Sequence, residues 1–449
     1  MYWPLVGIGA TLQLFLVAYR EVFCRDEGFD HVSRYINGLL LSVNKTLQGI
    51  YAQIVWPEGK QVSRRAMHES VFESGWNRET LMQRHRQNIS PQYRGRGKAV
   101  ISLDWTFSYH PYSEKIYGAK DAYDYVHRCN SCYQTVVTAA VANPHRVDGL
   151  AVEVQQPNYQ KEELAYLQMT RQEDYEQMEQ VRERLIELLH YHQHQLSYRK
   201  RTEMAVDIVQ QIEAEGFYPQ ADYAFDQGVL NLPLTTLIES VGKHWVSEIE
   251  KTRLILWNGK WQQVQVVAAQ LRQTHPESFR YNKVRCRNNE IREIWAFSKV
   301  IRLKKYGRKR LTVIHEKADL SDAPRFLLTA ALHWDSSRVF ATWSFRWPVE
   351  TFHQFAKQLT GFEDAQLRNE EAVKRHFCLS CVAQSVLQQA SCSGQNSERF
   401  NFADNHEQPI GQRLYSLSRE AVQQVVEFTQ TLLSQGKSVD QIMEVLMPA

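Results

Sequence analysis

A chain of 449 residues with 43% hydrophobic and 23% charged residues has ample material for a large core, which excludes a disordered or fibrous protein. The net charge of +3 identifies no partner for the chain as a whole. Seven cysteines are too few, and odd in number, for a disulfide scaffold, and fit a reducing compartment.

The apolar opening from Trp3 to Tyr19 carries Gly7, Gly9, Thr11 and Gln13, with no basic residues before it and no clear small-residue cleavage site. It is expected to be a buried helix rather than a membrane span or a secretory signal. Residues 20 to 95 show apolar side chains at three- and four-residue spacing and predict helices, one of them capped by Asn77 with its apolar side starting at Leu81. Arg64, Arg65, Arg78, Arg84 and Arg86 make this region a candidate contact for DNA.

After the glycines at 95 and 97, AVISLDW reads as a buried strand ending in Asp104. YQTVVTAAVA and DGLAVEV read as two further strands around a turn at Asn143-Pro144. A Glu/Gln-rich stretch from about Tyr159 to Gly216 predicts a long helix, partly a solvent-exposed extension. FYPQADYAFDQGVL repeats the theme of a short apolar run closed by an acid, Asp226, just before Gly228; Asp222 is the rival for that position. A helix over LPLTTLIESV and a strand over HWVSEI follow.

Residues 251 to 335 look β-rich. LILWNGKWQQVQVV offers a hairpin turn at Asn258-Gly259, and SKVIRLKKYGRKRLTVIHEK a second turn near Tyr306-Gly307. Between Arg280 and Arg310, twelve Lys or Arg stand against two Glu, a local basic segment suited to a polyanion. Lys304, Lys305, Arg308, Lys309 and Arg310 at the hairpin tip are the candidate phosphate contacts. Trp257, Trp261 and Trp295 are expected to pack in the core. RVFATWSF predicts a last strand, residues from about 391 a linker, and the tail two short amphipathic helices.

RWPVETFHQFAK predicts a helix with Pro348 in its first turn. Arg346, Glu350, His353 and Lys357 fall within an arc of about 60°, opposite Phe352, Phe355 and Leu359. Such a charged face by itself only meets water, and His353 is expected at the surface. The reason to read chemistry into it comes from Asp104 and Asp226. Acids at the ends of strands in an α/β sheet emerge into the crevice where ligands bind. Carboxylates from three distant elements converge only around something cationic, and magnesium takes oxygen ligands and shares them with substrate phosphates. Two ions roughly 3.5–4 Å apart serve phosphodiester chemistry. Arg346 and Lys357 would then hold phosphates. Cys129-Cys132 and Cys378-Cys381 lack the short-range partners of a zinc site and are expected to be ordinary thiols.

On these residues the chain resembles the DDE transposases of bacterial insertion sequences, in the branch marked by a Y-x2-R-x3-E-x6-K helix. Arg346, Glu350 and Lys357 fit that spacing; Trp343 stands at the Tyr position, keeping a flat surface for stacking and losing the phenolic hydroxyl. Gly361, Gln366 and Arg368 continue the likeness downstream, which spans most of residues 60 to 390. The resemblance implies an α/β protein with an RNase H-like mixed five-stranded sheet flanked by helices, interrupted by a β-rich insertion. The implied organisation is a helical region over 1–95, a core over 96–250, the basic insertion over 251–335, the final strand and Glu helix over 336–390, and a linker with C-terminal helices over 391–449. It further implies Asp104, Asp226 and Glu350 as catalytic ligands of two Mg2+ or Mn2+ ions. DNA contacts would come from Trp343, Arg346, Lys357 and the hairpin tip. The implied partners are double-stranded DNA, as terminal inverted repeats and target, and a second copy of the chain, in the bacterial cytoplasm without stable membrane association. The implied reaction is cut-and-paste through a hairpin. A nuclease that does not join strands and a silent DNA-binding descendant are the alternatives.

Overall fold

The computed structural model describes residues 3–56, 61–94, 99–113, 115–158, 198–287, 290–390 and 410–447. The N-terminal region is helical, with α1 (Ala10–Leu16), α2 (Asp26–Leu41), α3 (Leu47–Gln53), α4 (Arg64–His68) and α5 (Arg78–Ile89). The chain start is extended before α1, because Leu5 bridges to Ile54; only Leu12, Phe15 and Leu16 of α1 are buried. Asn77 caps α5 as expected, its Oδ1 accepting the N–H groups of Glu79 and Thr80 at 2.8 and 3.0 Å. The arginines of α5 are not a basic face, however. Arg86 is buried in a two-pronged pair with Glu215 at 2.6 Å, and Arg78 bridges Glu153 and Glu371. Burying a guanidinium, which keeps its charge, is costly unless its donors are matched in this way.

β1 (Val100–Tyr109) lies between β3 and β5 in the inner part of the sheet. It pairs antiparallel with β3 (Cys129–Ala142) along its whole length, from Val100↔Ala142 to Tyr109↔Tyr133. β2 (Lys120–Asp124) and β4 (Val147–Val154) pair with β3 in turn. On its other side β1 runs parallel to β5 (Asp222–Phe225), which runs parallel to β6 (Trp245–Glu248). The order β4–β3–β1–β5–β6 therefore holds three antiparallel strands and a parallel half. Asp104 is mid-strand and not at a strand end, since β3 keeps β1 extended to Tyr109. What ends at Leu103↔Phe225 is the parallel ladder.

The sheet continues beyond β6. β7 (Leu254–Trp257) and β8 (Lys260–Gln263) form the expected hairpin, with Asn258 and Gly259 at positive φ as such a tight turn requires. β9 (Arg280–Arg285), β10 (Ile291–Leu303), β11 (Gly307–His315) and β12 (Arg325–Thr329) follow, β12 pairing back onto β6. The whole is one open, mixed twelve-stranded sheet. The run QVQVV is not a strand: it opens α8 (Val264–Thr274), following α6 (Arg201–Glu215) and α7 (Leu232–Ser240).

RVFATWSF is a helix and not a strand. Asp335 caps α9 (Ser336–Trp343) through the Arg338 N–H at 2.7 Å, and Val339, Phe340 and Trp343 bury one side at helical spacing. They join Val246, Ile294, Ile314 and Leu327 in a second apolar cluster under the outer strands. α10 (Pro348–Leu359) and α11 (Glu370–Gln389) pack on the inner strands, where the larger cluster lies. Cys378 and Cys381 are buried in α11, and burial raises both thiols, Cys378 to about 12. The tail forms α12 (Ile410–Ser434), far longer than expected, and α13 (Val439–Leu446). The expected linker over 391–409 and most of the exposed helical extension, 159–197, lie outside the described residues. Among the described residues no helix is long and apolar enough to cross a membrane.

Candidate active site

The parallel ladder stops at Leu103↔Phe225 and Phe225↔Ser247, so the next residue on each strand is an acid: Asp104, Asp226 and Glu248. The first two acids and the Ser247 hydroxyl make local hydrogen bonds. Asp104 Oδ1 accepts the Trp105 N–H at 2.8 Å, Asp226 Oδ1 accepts the Gln227 N–H at 2.7 Å, and Ser247 Oγ donates to the carbonyls of Asp226 and Glu248. Gly228 leaves space for the Trp105 ring, because a Cβ there would lie 3.0 Å from Cζ2.

The Glu helix is laid over this row. Ser102 Oγ donates to the Phe345 carbonyl at 2.6 Å, fixing the turn before α10 against β1. His353 is 7% exposed and not at the surface; its Nε2 meets Thr138 Oγ1 at 2.7 Å, and that hydroxyl also reaches the Asp104 carbonyl at 3.2 Å. Since Thr138 pairs with Asp104 across β1 and β3, the charged face of α10 lies on the sheet instead of in water. Burial and then the charge of Lys357 push the imidazole of His353 down to about 3, so it is neutral.

Asp104 senses both of the other acids. Burial raises the Asp104 carboxyl to about 6; the Trp105 N–H and Arg346 pull it back, while Glu350 and Asp226 push it further up. Glu248 is likewise raised, first by burial, with Asp226 adding to the rise and Arg325 and Arg346 opposing it. Arg346 Nη1 holds Glu350 Oε1 at 2.6 Å, and Lys357 Nζ donates to the Phe107 carbonyl and pairs with Glu363 at 2.9 Å. Mutually repelling, half-buried carboxylates suit a hard divalent cation in their chemistry. Among the described residues no group of three such side chains already stands as a ligand cage, and Arg346 occupies Glu350 in this conformation.

Beside Arg346 a cavity of about 450 Å3 is lined by Arg287, Arg292, Arg325, Trp343 and Trp347. Trp343 is 8% exposed, its ring packed on Arg325 at 4.4 Å and Arg346 at 5.7 Å, so it forms the floor and not a free stacking face. Trp347, 60% exposed and 5.8 Å from Arg346, is the open aromatic surface. Sequence reasoning missed Glu248, Arg325 and Trp347. Glu248 carried the signal used for the two aspartates, an acid closing a short apolar run.

The basic hairpin tip divides. Lys304, Lys305 and Arg308 are exposed. Lys309 pairs with Glu239 at 3.0 Å, and Arg310 is tied to the Leu332 carbonyl and Ser298 Oγ, so both side chains are engaged within the fold. Both lie on the paired part of β11, Lys309 opposite Ile301 of β10 and Arg310 between Val300 of β10 and Thr329 of β12.

No family model matches the chain, and no curated protein matches it.

Proposed function

We propose that this chain is a DDE transposase of the Y-x2-R-x3-E-x6-K branch, built on an RNase H-like core, that cuts DNA at the ends of an insertion sequence and joins them to target DNA. The observation that carries the reading is geometric: the parallel ladder of β1 and β5 ends at Leu103↔Phe225, which sets Asp104 beside Asp226, and Ser102 of β1 holds the Phe345 carbonyl at the start of the Glu350 helix, although the three acids lie about 120 positions apart in the chain. The strand order β4–β3–β1–β5–β6, with only its second half parallel, supports the RNase H-like core.

Asp104, Asp226 and Glu350 would hold two Mg2+ or Mn2+ ions. When bound, such cations acidify an attacking oxygen and neutralise charge on the leaving one. The chain's own groups bind and orient the phosphodiester. Arg346, released from Glu350, offers a two-pronged donor to the phosphate, and Lys357 adds a positive charge on the same helix face. A water oxygen attacks phosphorus, the bond to the 3′ oxygen breaks, and that oxygen leaves with a proton as a 3′-hydroxyl. The same hydroxyl then serves as nucleophile toward the opposite strand, giving a hairpin that a second water opens, and finally toward target DNA. Trp347 and the arginine-lined cavity supply a place for the displaced nucleotide. Two ends must be held together, which implies a homodimer on DNA.

The test uses DNA carrying the inverted repeats that flank the gene. Asp104→Ala, Asp226→Ala and Glu350→Gln are expected to lose magnesium-dependent nicking with duplex affinity kept within about threefold, a change of less than ~1 kcal/mol. Nicking that survives in any one variant removes that residue from the set. Transfer of a labelled 3′ end into plasmid separates a transposase from a nuclease.

A further inference from the structure

β1 and β3 do not stop where the carboxylates stand. Five residues of β1, Trp105 to Tyr109, run on past Asp104, and β3 extends four more, to Cys129. At about 3.4 Å per residue this carries the β2–β3 hairpin roughly 30 Å beyond the carboxylate row. The turn at its end exposes apolar side chains: Tyr125 is 82% and Val126 70% exposed, and Tyr123 stacks edge-on against Tyr125 at 5.0 Å.

That tip is fixed in place. The carboxylate of Asp124 is fully buried and accepts the Tyr109 hydroxyl at 2.9 Å, His127 Nδ1 at 2.6 Å and the Val126 N–H at 2.8 Å. Below it, a cavity of about 590 Å3 is lined by Phe107, Tyr123, Tyr133, Lys120 and Arg201. Phe107 and Tyr133 pack at 4.4 Å, and the Arg201 guanidinium lies 4.4 Å over Trp105, the neighbour of Asp104. Aromatic rings in series with cations between them are the pattern that binds unpaired nucleic acid without regard to sequence. Trp105, Phe107 and Tyr109 alternate with Asp104 along β1 and so project from the other face of the sheet; the strip meets the Glu350 helix at the rim, where Lys357 sits 5.4 Å from the Tyr109 ring and bonds the Phe107 carbonyl.

We propose that the β2–β3 hairpin is a stacking arm for unpaired DNA leaving the cleavage site, with Tyr125 and Val126 against bases at the tip and one nucleotide in the cavity beneath. The arm rests on the transposase reading for the duplex it works beside. It is tested by fluorescence anisotropy of the full chain with a labelled single-stranded dT oligonucleotide and, separately, with duplex DNA. Base stacking on an aromatic side chain is strong enough that losing it weakens binding about tenfold or more. The triple variant Tyr123→Ala, Tyr125→Ala, Val126→Ala is expected to lose at least that factor toward dT. Tyr125→Phe should keep wild-type affinity, with duplex binding, duplex nicking and melting temperature unchanged in both. Equal dT affinity in the wild type and the triple variant overturns the arm and leaves the transposase reading standing. So does a wild type that binds duplex and ignores dT. A wild type that neither binds nor nicks duplex overturns both.

Discussion

Asp104 is held at a cost to the fold. Burial, Glu350 and Asp226 raise its carboxyl to about 6 against the opposing pull of Trp105 and Arg346. A raised carboxyl pKa means that the folded chain keeps a proton which the unfolded chain has already lost. Stability from this group is therefore complete below about pH 4, falls as pH rises through about 6, and stays lower above that. Asp104→Asn removes the charge without changing the shape. In cation-free buffer it is expected to raise unfolding free energy by ~1–2 kcal/mol at neutral pH and by nothing below about pH 4. Urea titrations at the two pH values read this directly; an equal gain at both would trace the effect to packing. The gain at neutral pH coincides with lost nicking, as expected where a site is held in tension for chemistry.

At the scale of elements, the β10–β11 hairpin divides the basic residues proposed to meet DNA from those engaged within the fold. Lys304, Lys305 and Arg308 are exposed at its turn, and each phosphate contact contributes roughly 0.9 to the slope of log affinity against log salt on duplex DNA. Neutralising all three is expected to flatten that slope by up to about 3 with unchanged stability. Arg310→Ala should do the reverse. It takes the guanidinium from the Leu332 carbonyl and leaves the Ser298 hydroxyl with Thr312 alone, costs about 1–2 kcal/mol, and moves the salt slope little. If Arg310→Ala flattens the slope as much as the turn variants do, the division is wrong. This is also where the sequence was legible only in part. The turn at 304–306 followed from Tyr306-Gly307, but the partners that take up Lys309 and Arg310, Glu239 and the Leu332 carbonyl, lie 70 and 22 residues away in the chain. The same holds at β1: its apolar run marked Asp104, while its true length is set by β3. RVFATWSF is short and apolar, and such runs fit either period; the Asp335 cap and helically spaced Val339, Phe340 and Trp343 decide for the helix. That Glu350 and Lys357 share one helix was readable from the sequence, whereas the burial of His353 depends on Thr138, a long-range partner.

For the molecule as a whole, the proposed pairing of two DNA ends needs a surface that folding does not use. α12 is fastened along one side: Glu420 accepts the Thr11 N–H at 3.1 Å, Gln424 donates to the Ile8 carbonyl at 2.9 Å, and Leu417 and Leu432 are buried. Its other side and α13 leave Tyr415, Val426, Leu433, Val439 and Met443 exposed. Val426 and Met443 are half exposed, so charges placed there should leave the fold intact, within about 0.5 kcal/mol. Desolvating a new charge in a dimer interface would be far more costly, on the order of several kcal/mol. Val426→Glu with Met443→Glu is therefore expected to keep the melting temperature and single-end DNA binding while abolishing the complex that holds two ends. Sedimentation velocity with inverted-repeat duplex distinguishes the one-end and two-end species by mass. A two-end complex of undiminished amount would move the pairing surface away from these helices without touching the assignment of the carboxylates, because the row at Asp104, Asp226 and Glu350 lies within a single chain.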